Sequence, residues 1–337
     1  MEHEAASSAI SVVAPGLDSS SEGIRSTVKV TILGAGVWGR ALSTLVAQKG
    51  YPVQLWSRQG KLSLPEAVSE AKVIISAVSM KGIPETIARL KSLTLPSDAV
   101  LVSATKGLDP ATRQTASQLW QTAFPDHSIV VLSGPNLSEE IQQGLPAATV
   151  VASENASAAQ QVQIIFSSDR FRVYTNDDPL GTELGGTLKN VIAIAAGVCD
   201  GLKLGTNARS ALITRALAEL IRVGVHLGAK PETFFGLSGL GDLLATCTSA
   251  LSRNYRVGYG LAQGKSLANI LDEIHSTAEG VNTANVLIDL ADRERIAVPV
   301  SYQVYLLLNG KITPQQAIVA LMERDLKSET VNIQGTI

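Results

Sequence analysis

The sequence predicts an α/β protein in two parts, a doubly wound parallel sheet followed by an all-α C-terminal domain. Three observations predict it. A glycine-rich turn, Gly34-Ala35-Gly36-Val37-Trp38-Gly39, directly follows a short β-branched run. Short apolar runs then alternate with stretches of helical period as far as Tyr174, which implies parallel strands joined by right-handed crossovers. After about Asp178 the strand signal disappears and only helical periodicity remains.

The elements follow in order. Residues 1–26 are rich in Ser, Ala and Glu with one Arg, lacking the apolar centre of a signal peptide and the bias of a transit peptide. They are read as a disordered extension, with structure starting at Thr27. Residues 28–33 form a buried-strand pattern that stops at glycine. Leu42, Leu45 and Val46 then recur at helical spacing before the Lys49-Gly50 stop. Further strands are expected at 53–56, 72–78, 100–104, 129–132, 148–152 and 171–174, with helices at 84–93, 113–123 and 156–166. The second half reads as helices at 184–198, 208–227, 231–235, 266–274, 283–294, 300–308 and 314–322. The expected domains are 27–178 and 179–326, with a polar tail at 327–337.

Two domains suit 337 residues, and 45% apolar residues against 17% charged ones suit large buried cores. Lys plus Arg number 28 and Asp plus Glu 30, a net charge of −2, which argues against a nucleic-acid or anionic-membrane partner held by bulk charge. No apolar run approaches the ~18 residues of a membrane span. Cys199 and Cys247 form neither a metal-type pair nor a disulfide framework, so no metal is expected and a cytoplasmic location is.

In its strand–turn–helix setting the G-x-G-x-x-G turn reads as a dinucleotide site of the Rossmann type. Gly34 permits the tight turn, Gly36 lets backbone approach a pyrophosphate, and Gly39 lets the helix close on the strand. An acid ending the second strand would favour NAD, but that strand ends Leu55-Trp56-Ser57-Arg58. Arg58 suits a 2′-phosphate, and the absence of a carboxylate there admits NADP alongside NAD.

Oxidation of an alcohol needs a proton acceptor, a charge for the developing oxyanion and an anchor for the substrate. His3, His127, His226 and His275 lie in contexts that suit surface or core roles. Lys106 follows a strand at the carboxyl edge, where ligands bind in open sheets. Lys189 lies in an apolar helix, among Leu188, Val191 and Ile192, where a charge is costly unless used; snorkelling to solvent is the equal alternative. Two lysines at one site would lower an ammonium pKa. Asp242, after a glycine-rich run, could orient a lysine or cap a helix. Ser252-Arg253-Asn254 offers donors to a phosphate or forms a surface turn, and Gly134 and Asn136 follow another strand.

These motifs occur in an order that resembles bacterial NAD(P)-dependent glycerol-3-phosphate dehydrogenases, over about residues 28–322. The carrying segments are the glycine turn, Thr105-Lys106-Gly107, Ser133-Gly134-Pro135-Asn136, Leu184-Gly185-Gly186-Thr187-Leu188-Lys189-Asn190, Asn207-Ala208-Arg209-Ser210, Gly239-Leu240-Gly241-Asp242 and Ser252-Arg253-Asn254. The resemblance implies interconversion of sn-glycerol 3-phosphate and dihydroxyacetone phosphate, supplying phospholipid synthesis, in a homodimer. It implies Lys189 as proton acceptor, with Lys106 and Asp242 also catalytic. It implies Lys106, Gly134, Asn136, Lys189, Asp242, Ser252, Arg253 and Asn254 as substrate contacts. It adds Val37, Trp38, Arg58, Lys106, Ser138, Arg253, Thr277 and Glu279 as cofactor contacts.

The chain departs from many relatives in two places. Only 13 residues separate Arg58 from Lys72, a segment bordering the adenosine side, and Ser79-Met80 replaces a Pro-Ser pair. Two other readings of the chain are a related NADP-dependent hydroxy-acid reductase and a nucleotide-sensing module without catalysis.

Overall fold

The computed structural model describes residues 28–274, 277–326 and 328–329. The expected extension, the start at Thr27, His275 and most of the polar tail lie outside the described residues. Seven strands form one sheet: β1 (Val30–Leu33), β2 (Val53–Trp56), β3 (Val73–Ser76), β4 (Val100–Ser103), β5 (Ile129–Ser133), β6 (Ala147–Ala152) and β7 (Phe171–Asn176). Their order is β2-β1-β3-β4-β5-β6-β7, so the chain reverses direction across the sheet between β1 and β3.

Six helices belong to this half: α1 (Val37–Gln48), α2 (Leu64–Val68), α3 (Ile83–Lys91), α4 (Ala116–Ala123), α5 (Ser138–Gln142) and α6 (Ala156–Phe166). Alternate strand residues face opposite ways, as period-two geometry requires. Val30, Ile32, Val73, Ile75, Val100, Val102, Val130 and Leu132 pack against α1 and α6. Leu33, Ile74, Leu101 and Ile129 pack against α2, α3 and α4 on the other face.

The all-parallel expectation needs one correction, because β5 and β6 pair antiparallel. The connection between them, residues 134–146, holds only the five-residue α5, too little for a helical crossover back to the starting edge. Helix boundaries also move. Arg113 has φ 63°, a left-handed conformation incompatible with helix, so α4 starts at Ala116, where Thr115 and Gln118 form a capping box. Helices α2 and α5, five residues each, are additions too short to carry a periodic signal.

The second half holds α7 (Pro179–Gly201), α8 (Gly205–His226), α9 (Asp242–Cys247), α10 (Arg253–Ala262), α11 (Leu267–Ile274), α12 (Glu279–Glu294), α13 (Pro299–Leu308) and α14 (Pro314–Met322). Helix α7 starts five residues before the expected 184, because Asp178 caps it: Oδ1 accepts from Gly181 N at 2.8 Å. At ~1.5 Å per residue its 23 residues span roughly 35 Å, and it is buried on nearly every side. Helix α10 crosses α7 at glycine: a Cβ on Gly258 would lie 1.8 Å from the carbonyl oxygen of Ile194. The small residues around Ala193 and Gly197 therefore serve contacts within this chain. The 231–235 segment is a 3-10 turn rather than an α-helix, and Leu237–Gly241 is a π turn.

Candidate active site

Two structural halves meet along the carboxyl edge of the sheet. The β1–α1 turn begins with Gly34 at φ 112°, and a Cβ there would stand 2.8 Å from the carbonyl oxygen of Ala77. A Cβ on Gly39 would collide with the Gly34 carbonyl oxygen at 1.8 Å, so α1 could not close against β1. Around Gly36 a Cβ meets nothing within 4 Å. That open side faces a crevice of about 490 Å³ lined by Gly34, Ala35, Gly36, Arg40, Trp56 and Arg58, among others. A tight turn, bare backbone and a helix N-terminus at the β1/β3 reversal fit a dinucleotide pyrophosphate.

Val37 is exposed at the start of α1, and Trp38 reaches across to donate from Nε1 to the Ala104 carbonyl at 3.1 Å. Ser138 opens α5, whose Gln142 donates to the Val37 carbonyl. Arg58 follows β2 and donates from Nη1 to Glu85 Oε2 at 2.8 Å. The end of β2 itself carries no carboxylate, but one reaches Arg58 through space: Glu85 arrives from α3, 27 positions on. No feature of the β2 sequence could have signalled it, because the pairing arises from α3 packing beside β2's end.

Beyond this crevice the three polar residues of greatest interest converge. Lys106, just past β4, donates from Nζ to Asp242 Oδ2 at 2.5 Å and to the Gly134 carbonyl at 3.3 Å. Lys189, on α7, donates to Asp242 Oδ1 at 2.8 Å and also to Thr246 Oγ1. Asp242 is 2% exposed and opens α9 without capping it, its side chain directed at the lysines. Lys189 is 6% exposed, so it does not snorkel to solvent. Burial lowers its ammonium pKa to about 8; Lys106 adds to the fall and Asp242 opposes it. With both lysines protonated this cluster carries one net positive charge, and one lost proton makes it neutral.

Thr246 was missed in the sequence. It stands four positions after Asp242, hence on the same helical face, and that spacing is the signal that could have found it. Glu183 was also missed. It is 1% exposed, six positions before Lys189 on α7, and accepts from Ser103 Oγ at 2.9 Å and from the Ser117 backbone at 3.0 Å. Burial pushes its carboxyl pKa up, against those hydrogen bonds. With the Gly107 N–Thr187 Oγ1 bond at 3.0 Å, it fastens α7 to the segments flanking Lys106.

Gly186 lies one turn before Lys189. A Cβ there would come within 2.3 Å of Ser133 Oγ and 3.2 Å of Lys106 Cε, so the close approach of α7 to the sheet edge requires glycine.

The remaining residues arrive with their own partners. Gly134 has φ 158° and supplies its carbonyl to Lys106. Asn136 donates to the Ala148 carbonyl and accepts from Thr149, tying it to β6. Ser252 caps α10 by accepting from Tyr255 N, and Arg253 is its first residue, so this tripeptide is a helix start rather than a loose turn. Asn254 is buried, donating to Asn190 Oδ1 and accepting from Gly280 N, both at 3.0 Å. Glu279, whose carboxyl pKa burial raises against the pull of Arg253, reaches the cofactor half: its Oε2 is 3.5 Å from a Cβ built on Gly107. Thr277 donates to Glu279 at 3.4 Å. The two histidines in helix and loop contexts, His226 and His127, pair with Glu294 and the Pro96 carbonyl, away from the lysines. Among the described residues no cluster of His, Cys, Asp or Glu could hold a metal.

Comparison with known proteins agrees with this geometry. The family model described as NAD-dependent glycerol-3-phosphate dehydrogenase N-terminus matches residues 29–63 and 60–159, its two pieces meeting inside the shortened segment after Arg58. The model for the C-terminus of the same family matches residues 178–319. A glycerol-3-phosphate dehydrogenase [NAD(P)+] from Acaryochloris marina is 65% identical over 308 residues, covering 91% of this chain and 99% of that protein. One from Synechocystis sp. is 64% identical, covering 89% and 95%. Among solved structures, glycerol-3-phosphate dehydrogenase from Coxiella burnetii aligns at TM-score 0.84 with 35% identity, covering 88% of this chain and 99% of that one.

Proposed function

The chain belongs to the NAD-dependent glycerol-3-phosphate dehydrogenase family, and from that premise we propose how its residues share the reaction. The activity is NAD(P)-dependent interconversion of sn-glycerol 3-phosphate and dihydroxyacetone phosphate. Its reductive direction supplies the glycerol phosphate backbone of phospholipids. Nothing in the comparisons favours the hydroxy-acid reductase or the sensor without catalysis.

The crevice lined by Gly34, Gly36 and Arg58 would hold the dinucleotide, with Gly39 closing the turn; Val37, Trp38, Ser138, Lys106, Arg253, Thr277 and Glu279 would contact it, as the family resemblance implies. A nicotinamide bound there would supply the hydride acceptor for C2 of the substrate and, in reverse, the hydride donor. Lys189 in its neutral form accepts the proton of the C2 hydroxyl; in the reverse direction its ammonium returns that proton to the carbonyl oxygen. Lys106 places positive charge beside the same oxygen as it gains electron density. Asp242 holds both amines at 2.5 and 2.8 Å, fixing their separation, and Thr246 accepts a further hydrogen from Lys189. Arg253, with Asn254 and Ser252 at the start of α10 and Gly134 and Asn136 after β5, anchors the phosphate and converts binding energy into orientation.

The single observation that carries this reading is the buried Lys106–Asp242–Lys189 cluster. It combines an amine of pKa about 8 with a net positive site for an anionic substrate. Residues 27–178 and 179–326 serve as cofactor and substrate domains in this reading, supported by the meeting of β4 and α7 at the cluster. A homodimer and a cytoplasmic location belong to the same proposal; among the described residues no helix is long and apolar enough to cross a membrane.

Absorbance at the reduced nicotinamide band tests the activity directly. The purified protein should consume NADPH or NADH only when dihydroxyacetone phosphate is present, and dihydroxyacetone without phosphate should be a far weaker substrate. Equal rates with both would overturn the phosphate-anchor assignment.

A further inference from the structure

The adenosine end of the crevice carries two opposite recognition groups in one ion pair. Arg58 Nη1 donates to Glu85 Oε2 at 2.8 Å, while Glu85 Oε1 accepts from Arg89 Nη2 at 2.7 Å. Arg58 and Glu85 both line the crevice that runs over the glycine turn. Arg58 and Arg89 also line an adjoining cleft of about 420 Å³, together with Lys61, that the shortened segment around α2 walls off. All three side chains of the ion-pair chain are at least 46% exposed, so the pairing is not locked in by a folded core. Hydrogen bonding from Arg89, aided by the Arg58 charge, lowers the Glu85 carboxyl pKa and keeps it anionic at neutral pH.

A carboxylate at this end of a dinucleotide site accepts from the ribose 2′-hydroxyl, whereas a guanidinium takes a 2′-phosphate. Here the guanidinium follows β2, close to where the acid ordinarily stands, and the acid is supplied by α3. A 2′-phosphate must share the Arg58 guanidinium with Glu85, which holds it through Nη1, or displace that carboxylate, and in either case bears it as a like charge. A 2′-hydroxyl leaves the ion pair intact. Arg89 decides the cost of the exchange, because a Glu85 that has lost Arg58 still keeps one guanidinium.

We propose that Glu85 determines cofactor specificity in this chain: it competes with a 2′-phosphate for Arg58 and serves the 2′-hydroxyl of NAD, so one site accepts both dinucleotides. The proposal rests on reading the crevice as the cofactor site. It concerns residues outside the lysine cluster, so catalysis need not be measured to test it.

Calorimetric titration of the full chain with 2′,5′-ADP and with 5′-AMP isolates the adenosine end, and NADPH and NADH titrations extend it to the whole cofactor. E85Q should tighten 2′,5′-ADP and NADPH by about tenfold, the scale of one charge facing a phosphate near the surface, and weaken 5′-AMP and NADH by about two- to threefold as a neutral amide replaces the carboxylate. The same substitution made in R58Q should produce at most a third of that gain, because no guanidinium is left to release. If E85Q alters both nucleotides by the same factor, or the ratio of NADPH to NADH affinity moves less than twofold, the proposal is wrong and the crevice assignment stands. Wild-type protein that binds none of the four ligands would overturn both.

Discussion

Nζ of Lys189 donates to Oδ1 of Asp242 at 2.8 Å across 53 positions of sequence, with Lys189 6% exposed and Asp242 2% exposed. A buried ammonium is costly without compensation, and this carboxylate supplies part of it while also holding Lys106 on its second oxygen. Sharing leaves the cluster one positive charge in excess. Burial, aided by the Lys106 charge and opposed by Asp242, keeps the Lys189 pKa low enough for the amine to exchange protons near neutral pH.

The pH dependence follows in sign. Oxidation requires neutral Lys189, so kcat/KM for glycerol 3-phosphate should rise tenfold per pH unit below about pH 8 and level off above it. Reduction requires the ammonium form, so its rate should fall as pH passes upward through the same midpoint. Initial rates in both directions between pH 6 and 10 check this, and mirror-image profiles with a shared midpoint are expected.

Asp242→Asn removes the negative charge that opposes the effect of burial on Lys189. The oxidative midpoint should move below 8, and kcat should fall by about tenfold or more because both lysines lose their common anchor. A pH profile separates this from misfolding, since a merely damaged protein would lose rate without shifting its midpoint.

Gly186→Ala tests how α7 approaches the sheet. The added Cβ would displace Ser133 Oγ or Lys106 Cε, so kcat should drop, and NADPH affinity, to which Lys106 contributes beside the more distant glycine turn, should fall by a smaller factor than kcat. Overpacking at such a contact costs about 1–3 kcal/mol, and a matching decrease in urea midpoint is expected.

Much of this was legible in the sequence, for identifiable reasons. Four-residue runs such as Val100–Ser103 are buried on both sheet faces, so their β-branched and aliphatic content marks them without help from neighbours. The glycine turn is equally local, since its requirements concern adjacent backbone. Strand direction is not local: Ala147–Ala152 reads the same whether parallel or antiparallel to β5, and only the short 134–146 connection distinguishes them. Lys106, Lys189 and Asp242 draw attention through their positions at a strand end, in an apolar helix and after a glycine-rich run, and a site shared by the lysines, with Asp242 orienting one, is among the readings they allow. Their convergence came from tertiary packing. Glu85 and Glu183 were invisible because an acid on a helix acquires meaning only from what faces it, here Arg58 and the pair Ser103 and Ser117.

The most direct test concerns the Lys189 amine itself. In Lys189→Ala, turnover should fall by about a thousandfold with NADPH affinity retained, and small primary amines in the assay should restore part of it in proportion to their free-base concentration. A variant that kept more than a tenth of wild-type turnover with no added amine would contradict the assignment of proton transfer to this residue.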